Sequence, residues 1–281
     1  MAIRMVALLD GTIVDPAQPI VRADDQGVVR GDGVFESLIV VNGEPRHVEE
    51  HLERLAAWVS RHLPAPEAEG YRKAIQAIID AWDWDADDQA VVRLFQTRGP
   101  EGLDEPSGWA MAAPIDERSL RERRDGVRVL LLDRGFEGTE IVDLPWLLPG
   151  AKSLSYGINM AARRYAMNND ADDAIFVTPS GSLLEGPTSS LVLDMDGVLV
   201  TPPQEGILRS ISIAELMEKA PAAGLEFEMR PLVVEDLHRA RGAWLVSSSR
   251  LVARVTHADG EELSISPLDA EINRMMGVPG V

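Results

Sequence analysis

The chain has 281 residues, 45% of them hydrophobic, so it can bury a sizeable core in one large domain or two of medium size. Its formal net charge of −19 excludes nucleic acid and anionic membranes as expected partners, because a polyanion is repelled before contacts form. The absence of cysteine excludes disulfides and cysteine-bound metals, and neither a transmembrane run nor a signal peptide is evident. We therefore expect a cytoplasmic protein.

The first part of the chain predicts strands followed by two helices. Apolar runs that turn at Asp10-Gly11 and at Asn42-Gly43 are typical of β-hairpins. A helix is predicted from about Val48, where apolar residues begin to recur at helical spacing, and a second helix is predicted over 71–84. A strand over 90–99 follows.

A polar, charged stretch over 113–126 predicts the connection between two domains. We place an N-terminal α/β domain at 1–113, a linker at 114–126 and a C-terminal domain at 127–281. The elements predicted for the second domain are a strand over 127–133, a helix over 153–167, a strand over 174–178, a hairpin at Asp196-Gly197, a helix from Ser210 to Lys219 and a strand over 242–255. This mixture of strands and helices predicts an α+β or α/β fold.

Lys152 stands out among the only three lysines of the chain. Lys73 lies opposite the apolar face of its helix, and Lys219 closes a helix, where the dipole favours a cation. Lys152 instead follows an apolar run that contains Leu147 and Leu148, and it precedes a predicted helix. Both the helix dipole and desolvation then disfavour the ammonium, which lowers the pKa of a lysine and favours a nucleophilic amine. From this local context alone, a surface lysine remains the alternative.

Five sequence blocks occur in an order that is shared with one enzyme family. RGDGVFESLIVVNGEPRHVEEHLERL comes first, LPGAKSLSYGINMAARR, LLEGPTSSLVLDMDGVLVTPP and GILRSISIAELMEKA follow, and WLVSSSRLVARV comes last. Together they resemble the pyridoxal-phosphate enzymes of fold type IV, which are class-IV aminotransferases and 4-amino-4-deoxychorismate lyases. The resemblance implies a smaller N-terminal α/β domain and a larger cofactor-binding C-terminal domain with a barrel-like sheet flanked by helices. It also implies a homodimer that acts on a small amino compound bearing a carboxylate.

The same resemblance implies roles for individual residues. Lys152 occupies the position of the lysine that binds the cofactor aldehyde and then moves the substrate proton. Glu185 matches the glutamate that faces the pyridine nitrogen and keeps it protonated. The residues implied for the phosphate are Arg54, Ile211, Ser212, Ser248 and Ser249; Tyr156 is implied for the ring oxygen, and Phe35 and Arg98 are implied for the substrate.

Two of these positions also have ordinary structural explanations, and some depart from the family pattern. Arg54 alone is typical of a solvated helix residue, and Ser212 alone is typical of a helix N-cap. Serine stands at Ser212 and in the Ser248-Ser249 turn where the family carries threonine or glycine. Each serine keeps a hydroxyl and a backbone N–H, so we still expect phosphate binding.

Two other motifs point to different classes of protein. HVEEH places His47 and His51 at the spacing of a zinc peptidase motif, but no downstream glutamate motif suggests a third ligand. GDGVFE over 31–36 resembles a dinucleotide loop but lacks the third glycine and the following helix. We therefore expect no bound metal and no dinucleotide.

The catalytic residues do not separate lyase from aminotransferase chemistry, because the same lysine serves both. After Arg98 the chain reads GPEGLDEP, without the arginine–histidine pair that D-amino-acid transaminases of this family use for the α-carboxylate. We therefore favour a 4-amino-4-deoxychorismate lyase, which forms 4-aminobenzoate and pyruvate. A branched-chain or D-amino-acid aminotransferase is the alternative.

Overall fold

A computed structural model describes residues 4–62 and 68–280, which fold into two compact units. The first unit runs to Asp116 and also includes Ala151–Tyr156. The second unit holds Glu117–Gly150 and the chain from Gly157 onwards. The six residues that contain Lys152 therefore belong to the first unit, although they lie within the sequence of the second.

The first unit contains a six-stranded sheet in which every neighbouring pair of strands is antiparallel. Its strands are β1 (Met5–Leu8), β2 (Ile13–Val14), β3 (Gly33–Val41), β4 (Glu44–Pro45), β5 (Gln89–Thr97) and β6 (Gly108–Pro114), in the spatial order β2-β1-β6-β5-β3-β4. Its helices are α1 (Gln26–Arg30), α2 (Val48–His62) and α3 (Ala68–Ala81). The hairpins predicted at Asp10-Gly11 and Asn42-Gly43 are confirmed, as are the helix from Val48 and the strand before Gly99.

One face of this sheet is covered by α2 and α3. Side chains alternate along β3, so Val34, Leu38 and Val40 point to the same face and join the hydrophobic core. Glu36 lies between them in the same alternation, and it is only 1% exposed. The pattern of β3 therefore places one carboxylate inside an otherwise apolar layer, where it requires charged partners.

The second unit contains an eight-stranded mixed sheet. Its strands are β7 (Val127–Asp133), β8 (Asp173–Val177), β9 (Ser190–Met195), β10 (Val198–Thr201), β11 (Glu226–Met229), β12 (Gly242–Ser247), β13 (Leu251–Ala258) and β14 (Glu261–Glu262). The spatial order is β11-β10-β9-β12-β13-β7-β8, and β14 pairs with β13. Its helices are α4 (Glu117–Asp125), α5 (Gly157–Asn168), α6 (Ile211–Lys219), α7 (Val234–Arg239) and α8 (Asp269–Met275). No helix in the described part of the chain has the length and apolar character needed to cross a membrane.

The boundary between the two units falls after Asp116, within the linker predicted at 114–126. Most of this stretch forms α4, which packs against β13 in the second unit. The helix was hidden in the sequence because its contacts are made by charged side chains. Glu122, for example, is only 2% exposed and accepts a 2.5 Å bond from Arg118.

The helix predicted over 153–167 begins later than expected, at Gly157. Its buried residues are Ala162 and Ala166, which face the sheet of the second unit. Ile158 and Tyr165, which share the predicted apolar face, are 63% and 56% exposed. Small residues therefore set the packing of α5, because they allow the helix to approach the sheet closely.

A buried ion-pair network joins three elements of the second unit. Nη1 of Arg250 lies 2.9 Å from Glu122 and 2.8 Å from Asp173, and all three side chains are at most 6% exposed. Burial by itself lowers the pKa of Arg250, but Asp173 and Glu122 outweigh it and raise the pKa. The network therefore fixes the start of β13 against α4 and β8.

Replacing this arginine is expected to destabilise the protein strongly. Arg250→Met leaves two buried carboxylates without a cation, which costs about 3–5 kcal/mol of unfolding free energy. Urea unfolding followed by tryptophan fluorescence measures the loss. Arg124→Met is the control, because Arg124 pairs with Asp125 at the surface and is 72% exposed. Equal effects of the two substitutions would contradict a structural role for the buried network.

Candidate active site

Lys152 is held on the edge of β3 by backbone hydrogen bonds. The backbone N–H of Phe35 donates to the carbonyl oxygen of Lys152 at 3.0 Å, and that of Leu154 donates to Gly33 at 2.8 Å. A Cβ atom on Gly33 would lie 2.6 Å from the backbone oxygen of Gln96 on β5 and 2.7 Å from Cδ1 of Leu154, so this position requires glycine. The segment thus extends the sheet of the first unit by a short stretch.

The amine of Lys152 lies over an aromatic ring. Its Nζ is 4.7 Å from the centroid of Phe35, and Tyr156 meets the same ring edge-on at 5.3 Å. Phe35 is stacked on Phe95, which is stacked in turn on Trp109 in the next strand. These contacts limit where the ammonium can move, and cation–π attraction holds it near the ring face.

The environment predicted for Lys152 from its neighbours was wrong. Lys152 precedes the first residue of α5 by an extended stretch, so it does not stand at the start of a helix. Leu147 and Leu148, which were expected to bury it, are themselves 52% and 37% exposed. The position of Lys152 is set by β3 instead.

Arg54 is paired with the buried carboxylate of Glu36. Nε of Arg54 lies 2.7 Å from Oε1 and Nη2 lies 2.7 Å from Oε2, an arrangement that fixes the plane of the guanidinium. His51, one turn earlier on α2, places Nδ1 2.8 Å from the same Oε2. Burial alone raises the pKa of Glu36, but the charge and hydrogen bonds of Arg54, together with His51, bring it down to about 2.

Arg98 is tied to the loop before β3. Its Nε donates to Oδ2 of Asp32 at 2.6 Å, and its backbone N–H donates to the carbonyl of the same residue. The side chain is nonetheless 44% exposed. Asp32 therefore orients the guanidinium while leaving much of its surface accessible to a carboxylate.

Glu185 lies in the second unit, in the loop between β8 and β9. Its Oε1 accepts a 3.3 Å hydrogen bond from the backbone of Leu208, which lies just before α6. The carboxylate of Glu185 also acts on the charge of Arg134. Burial lowers the pKa of Arg134, and the negative charge of Glu185 partly opposes that shift. The guanidinium of Arg134 lies 4.7 Å from the ring of Phe176. The Glu185 side chain is therefore held between a backbone donor and a nearby cation.

The start of α6 has the geometry expected of an anion site, but its cap differs from the expectation. Ser210, not Ser212, is the N-cap, and its hydroxyl accepts from the backbone N–H of Ile213 at 3.3 Å. Ile211 and Ser212 form the first turn, where N–H groups have no partner within the helix. These N–H groups and the helix dipole favour an anion.

The turn that contains Ser248 and Ser249 joins β12 to β13. The guanidinium of Arg123 on α4 donates hydrogen bonds to two carbonyl oxygens at this turn. Nη2 of Arg123 donates to the carbonyl of Ser249 at 2.9 Å, and Nε donates to that of Arg250 at 2.7 Å. The stretch 242–255, predicted as a late strand with a serine-rich break, is therefore two strands separated by this turn. Arg123 lies in the stretch predicted as a linker, so the sequence did not reveal this role.

The candidate residues fall into two sets. The first unit brings Lys152, Phe35 and Tyr156 together, and it also contains Arg54 and Arg98. The second unit contains the others, which are Glu185, Ile211, Ser212, Ser248 and Ser249. Sequence reasoning did not identify Glu36, and His51 was noticed only as part of the HVEEH motif.

The zinc alternative finds no support in the geometry. His51 contacts Glu36 and, within the described residues, no three histidine, aspartate or glutamate side chains are placed to hold a metal ion. His47 is partly exposed beside Glu50 and immediately precedes α2. HVEEH thus supplies one partner of a buried carboxylate.

The cluster around Glu36 predicts a specific acid sensitivity. The pKa of Glu36 in the folded protein is about 2, below the ordinary value of 4.5. The ionised carboxylate therefore stabilises the fold fully above pH 4.5, and this contribution is lost as the pH falls towards 2. The difference in unfolding free energy between wild type and Glu36→Gln should therefore shrink by roughly 3 kcal/mol across that range. Urea unfolding at a series of pH values measures it. Glu53→Gln, which changes an exposed glutamate on α2, is the control. A difference between wild type and Glu36→Gln that does not change with pH would contradict the pairing.

Comparison with known proteins gives a consistent family assignment. The sequence model of the amino-transferase class IV family matches residues 33–258. A Mycobacterium tuberculosis protein named bifunctional aminodeoxychorismate lyase / D-amino acid transaminase is 41% identical over 273 residues, which is 94% of each chain.

Two solved structures of a hypothetical aminotransferase from M. tuberculosis have a similar fold. Its PLP-bound form gives a TM-score of 0.93 with 40% identity and covers 97% of both chains. Its form with α-ketoglutarate and PMP gives 0.94 with 40% identity and covers 98% of both chains. These structures and the family match bear out the fold type IV architecture expected from the five sequence blocks. The chain belongs to the amino-transferase class IV family.

Proposed function

We propose that the protein is a pyridoxal 5'-phosphate-dependent enzyme in which Lys152 carries the cofactor and moves the substrate proton. The observation that best supports this role is the attachment of Lys152 to β3, which places its Nζ 4.7 Å from the ring of Phe35. A lysine fixed in this way has a defined direction of approach. The other lysine that lies in a family block, Lys219, is instead paired with Glu215 at 2.6 Å.

The chemistry of the available side chains fits this cofactor. An aldehyde needs a primary amine, a phosphate monoester needs guanidinium and backbone N–H donors, and a protonated pyridine nitrogen needs a carboxylate. The first unit supplies Lys152 and Arg54, and the second supplies Glu185 and the start of α6. Solved structures of the 40% identical M. tuberculosis aminotransferase contain PLP or PMP.

Each residue then has a definite task. When bound, the cofactor supplies an electron sink that stabilises negative charge at the carbon next to the substrate amine. Lys152 Nζ removes the proton from the substrate carbon and delivers it to its next position. Glu185 would hold a proton at the pyridine nitrogen. The groups that would bind the phosphate are Arg54 in the first unit and, in the second, the first turn of α6 and the Ser248-Ser249 turn.

We further propose that aminodeoxychorismate is the main substrate. Lys152 would take the proton from the ring carbon that bears the amine, and the enolpyruvyl group would leave from the neighbouring carbon as the enol of pyruvate. The ring becomes aromatic, and the products are 4-aminobenzoate and pyruvate. The similarity over nearly the whole chain to the M. tuberculosis protein supports this activity. That protein's name also favours D-amino-acid transamination as a second activity. In it Lys152 would again take and return a proton, and the bound cofactor would supply the acceptor for the amine.

Arg98 is proposed to bind a carboxylate of either substrate. Its guanidinium is held by Asp32 and remains 44% exposed, so it needs little reorganisation to accept an anion. In a chain without the arginine–histidine pair of other D-amino-acid transaminases, this arginine is the cation that the family resemblance assigns to the substrate.

The role of Lys152 predicts a clear difference between two lysine substitutions. Lys152→Ala should abolish turnover and the near-visible absorption of bound cofactor, because the amine that binds the aldehyde is gone. Borohydride reduction followed by peptide mass spectrometry should find the cofactor on Lys152 in the wild type and on no lysine in the variant. Lys73→Ala, on the exposed side of α3, should keep absorption and turnover. Turnover by the Lys152→Ala enzyme would refute the assignment.

The substrate proposal predicts the outcome of a direct comparison. Purified enzyme offered aminodeoxychorismate should release 4-aminobenzoate and pyruvate in equal amounts, without an added keto acid. The same enzyme offered D-alanine and α-ketoglutarate should form pyruvate more slowly, as measured by kcat/KM. Transamination of D- or L-amino acids without any 4-aminobenzoate formation would make the protein an aminotransferase and reject the lyase.

A further inference from the structure

Asp25 is a buried acidic residue that the proposed mechanism does not use. Its side chain lies just before α1, is 0% exposed, and forms no salt bridge with any described residue. A buried carboxyl group without a nearby cation is costly unless hydrogen-bond donors surround it. The donors that Asp25 binds therefore show what this residue holds together.

Two of these donors lie at the two ends of the loop that carries Arg98. The hydroxyl of Thr97 donates to Oδ2 of Asp25 at 2.8 Å, and the hydroxyl of Ser107 donates to the same oxygen at 2.7 Å. Thr97 is the last residue of β5, and Ser107 immediately precedes β6. The other oxygen, Oδ1, accepts a 2.8 Å hydrogen bond from the backbone N–H of Gly27 in α1. One side chain therefore closes the loop between β5 and β6 at its base.

The residue that follows Arg98 is held by the same part of the chain. The backbone N–H of Gln26 donates to the carbonyl of Gly99 at 2.9 Å, and the backbone N–H of Gly99 donates to the Thr97 hydroxyl at 3.1 Å. A Cβ atom on Gly27 would lie 2.2 Å from Cγ2 of Thr97, so α1 packs directly against the end of β5. The backbone is therefore fixed on both sides of Arg98.

Two aspartates act on Arg98 at different points. Asp32 contacts the guanidinium at 2.6 Å and is 41% exposed, whereas Asp25 holds the backbone of the loop and has no exposed surface. Oδ2 of Asp25 accepts two hydroxyl hydrogens at once. A carboxylate oxygen has the lone pairs for this, and an amide nitrogen has none. The chemistry at the base of the loop therefore requires an acid at position 25.

We propose that Asp25 is a positioning residue for substrate recognition, which keeps Arg98 in the place where it binds the substrate carboxylate. This inference rests on the proposed function, because it takes Arg98 to bind that carboxylate. Asp25 acts through Arg98, since its own side chain is fully buried. If the base of the loop were loose, Arg98 would have to be ordered each time substrate binds, and the entropy cost would weaken binding.

The test measures kcat and KM of the Asp25→Asn holoenzyme with aminodeoxychorismate. The amide keeps an acceptor for Gly27 but cannot accept both hydroxyls, so KM should rise about 10-fold while kcat changes less than about twofold. The near-visible absorption of bound cofactor should stay unchanged, because Arg98 is assigned to the substrate. Asp24→Asn is the control, since Asp24 pairs with Arg22 at the surface. A wild-type KM in Asp25→Asn, or a loss confined to kcat, overturns the inference.

A double-substitution cycle shows whether Asp25 acts through Arg98. In Arg98→Met the substrate carboxylate has lost its cation, so adding Asp25→Asn should raise KM little further. An equal rise in both backgrounds would indicate a general structural role and reject the inference. If Arg98→Met alone leaves KM unchanged, the substrate role of Arg98 in the proposed function is itself rejected. The same cycle is measured with D-alanine if the enzyme proves to be an aminotransferase.

A milder substitution covers the case in which Asp25→Asn does not fold. Thr97→Val keeps the branched shape of the side chain but removes one of the two hydroxyls that Asp25 binds. It should raise KM by a smaller factor, about 3-fold, and this rise should disappear in the Arg98→Met background. A wild-type KM in a Thr97→Val enzyme that retains the cofactor absorption overturns the inference.

Discussion

The backbone pairing between β3 and the segment that carries Lys152 is the constraint on which the rest of the first unit's site depends. Two hydrogen bonds, from Phe35 and from Leu154, attach a stretch from much later in the chain to the sheet. The same strand therefore presents the aromatic ring under the amine on one face and the Glu36 carboxylate on the other. Gly33 fits at this point because a side chain there would collide with the backbone oxygen of Gln96 on β5 and with Leu154.

A second theme is the use of buried carboxylates to orient arginines. In a chain with a net charge of −19, isolated cations have abundant surface partners, yet Arg54 and Arg250 are paired with carboxylates that are almost fully buried. A guanidinium held by a carboxylate cannot rotate freely, so its remaining donors keep a fixed direction. Glu36 orients the arginine proposed for the phosphate, and the Arg250 network fixes the turn that contains Ser248.

Much of the fold could be predicted from local patterns. Hairpin turns at Asp10-Gly11 and Asn42-Gly43, the periodic apolar residues of α2 and the strand over 127–133 depend on neighbours in the sequence, and the structure has each of them. The errors fell where contacts are long-range. The charged residues of α4 pack against a strand far along the chain, so their sequence has the composition of a linker.

The sequence by itself determined the class of chemistry, because one lysine in an ordered set of motifs identifies the family and with it the cofactor expected for the chain. It also determined the candidate residues, including Arg54 and Glu185. Only the tertiary structure decided how Lys152 is held, which proved to be a strand edge and not a helix start. Only the structure showed that Glu36 joins Arg54 to His51 and leaves Nε2 of His51 without a partner among the described residues. The physical reason is that periodicity records which residues are neighbours along a helix or strand, whereas pairing between distant segments depends on packing.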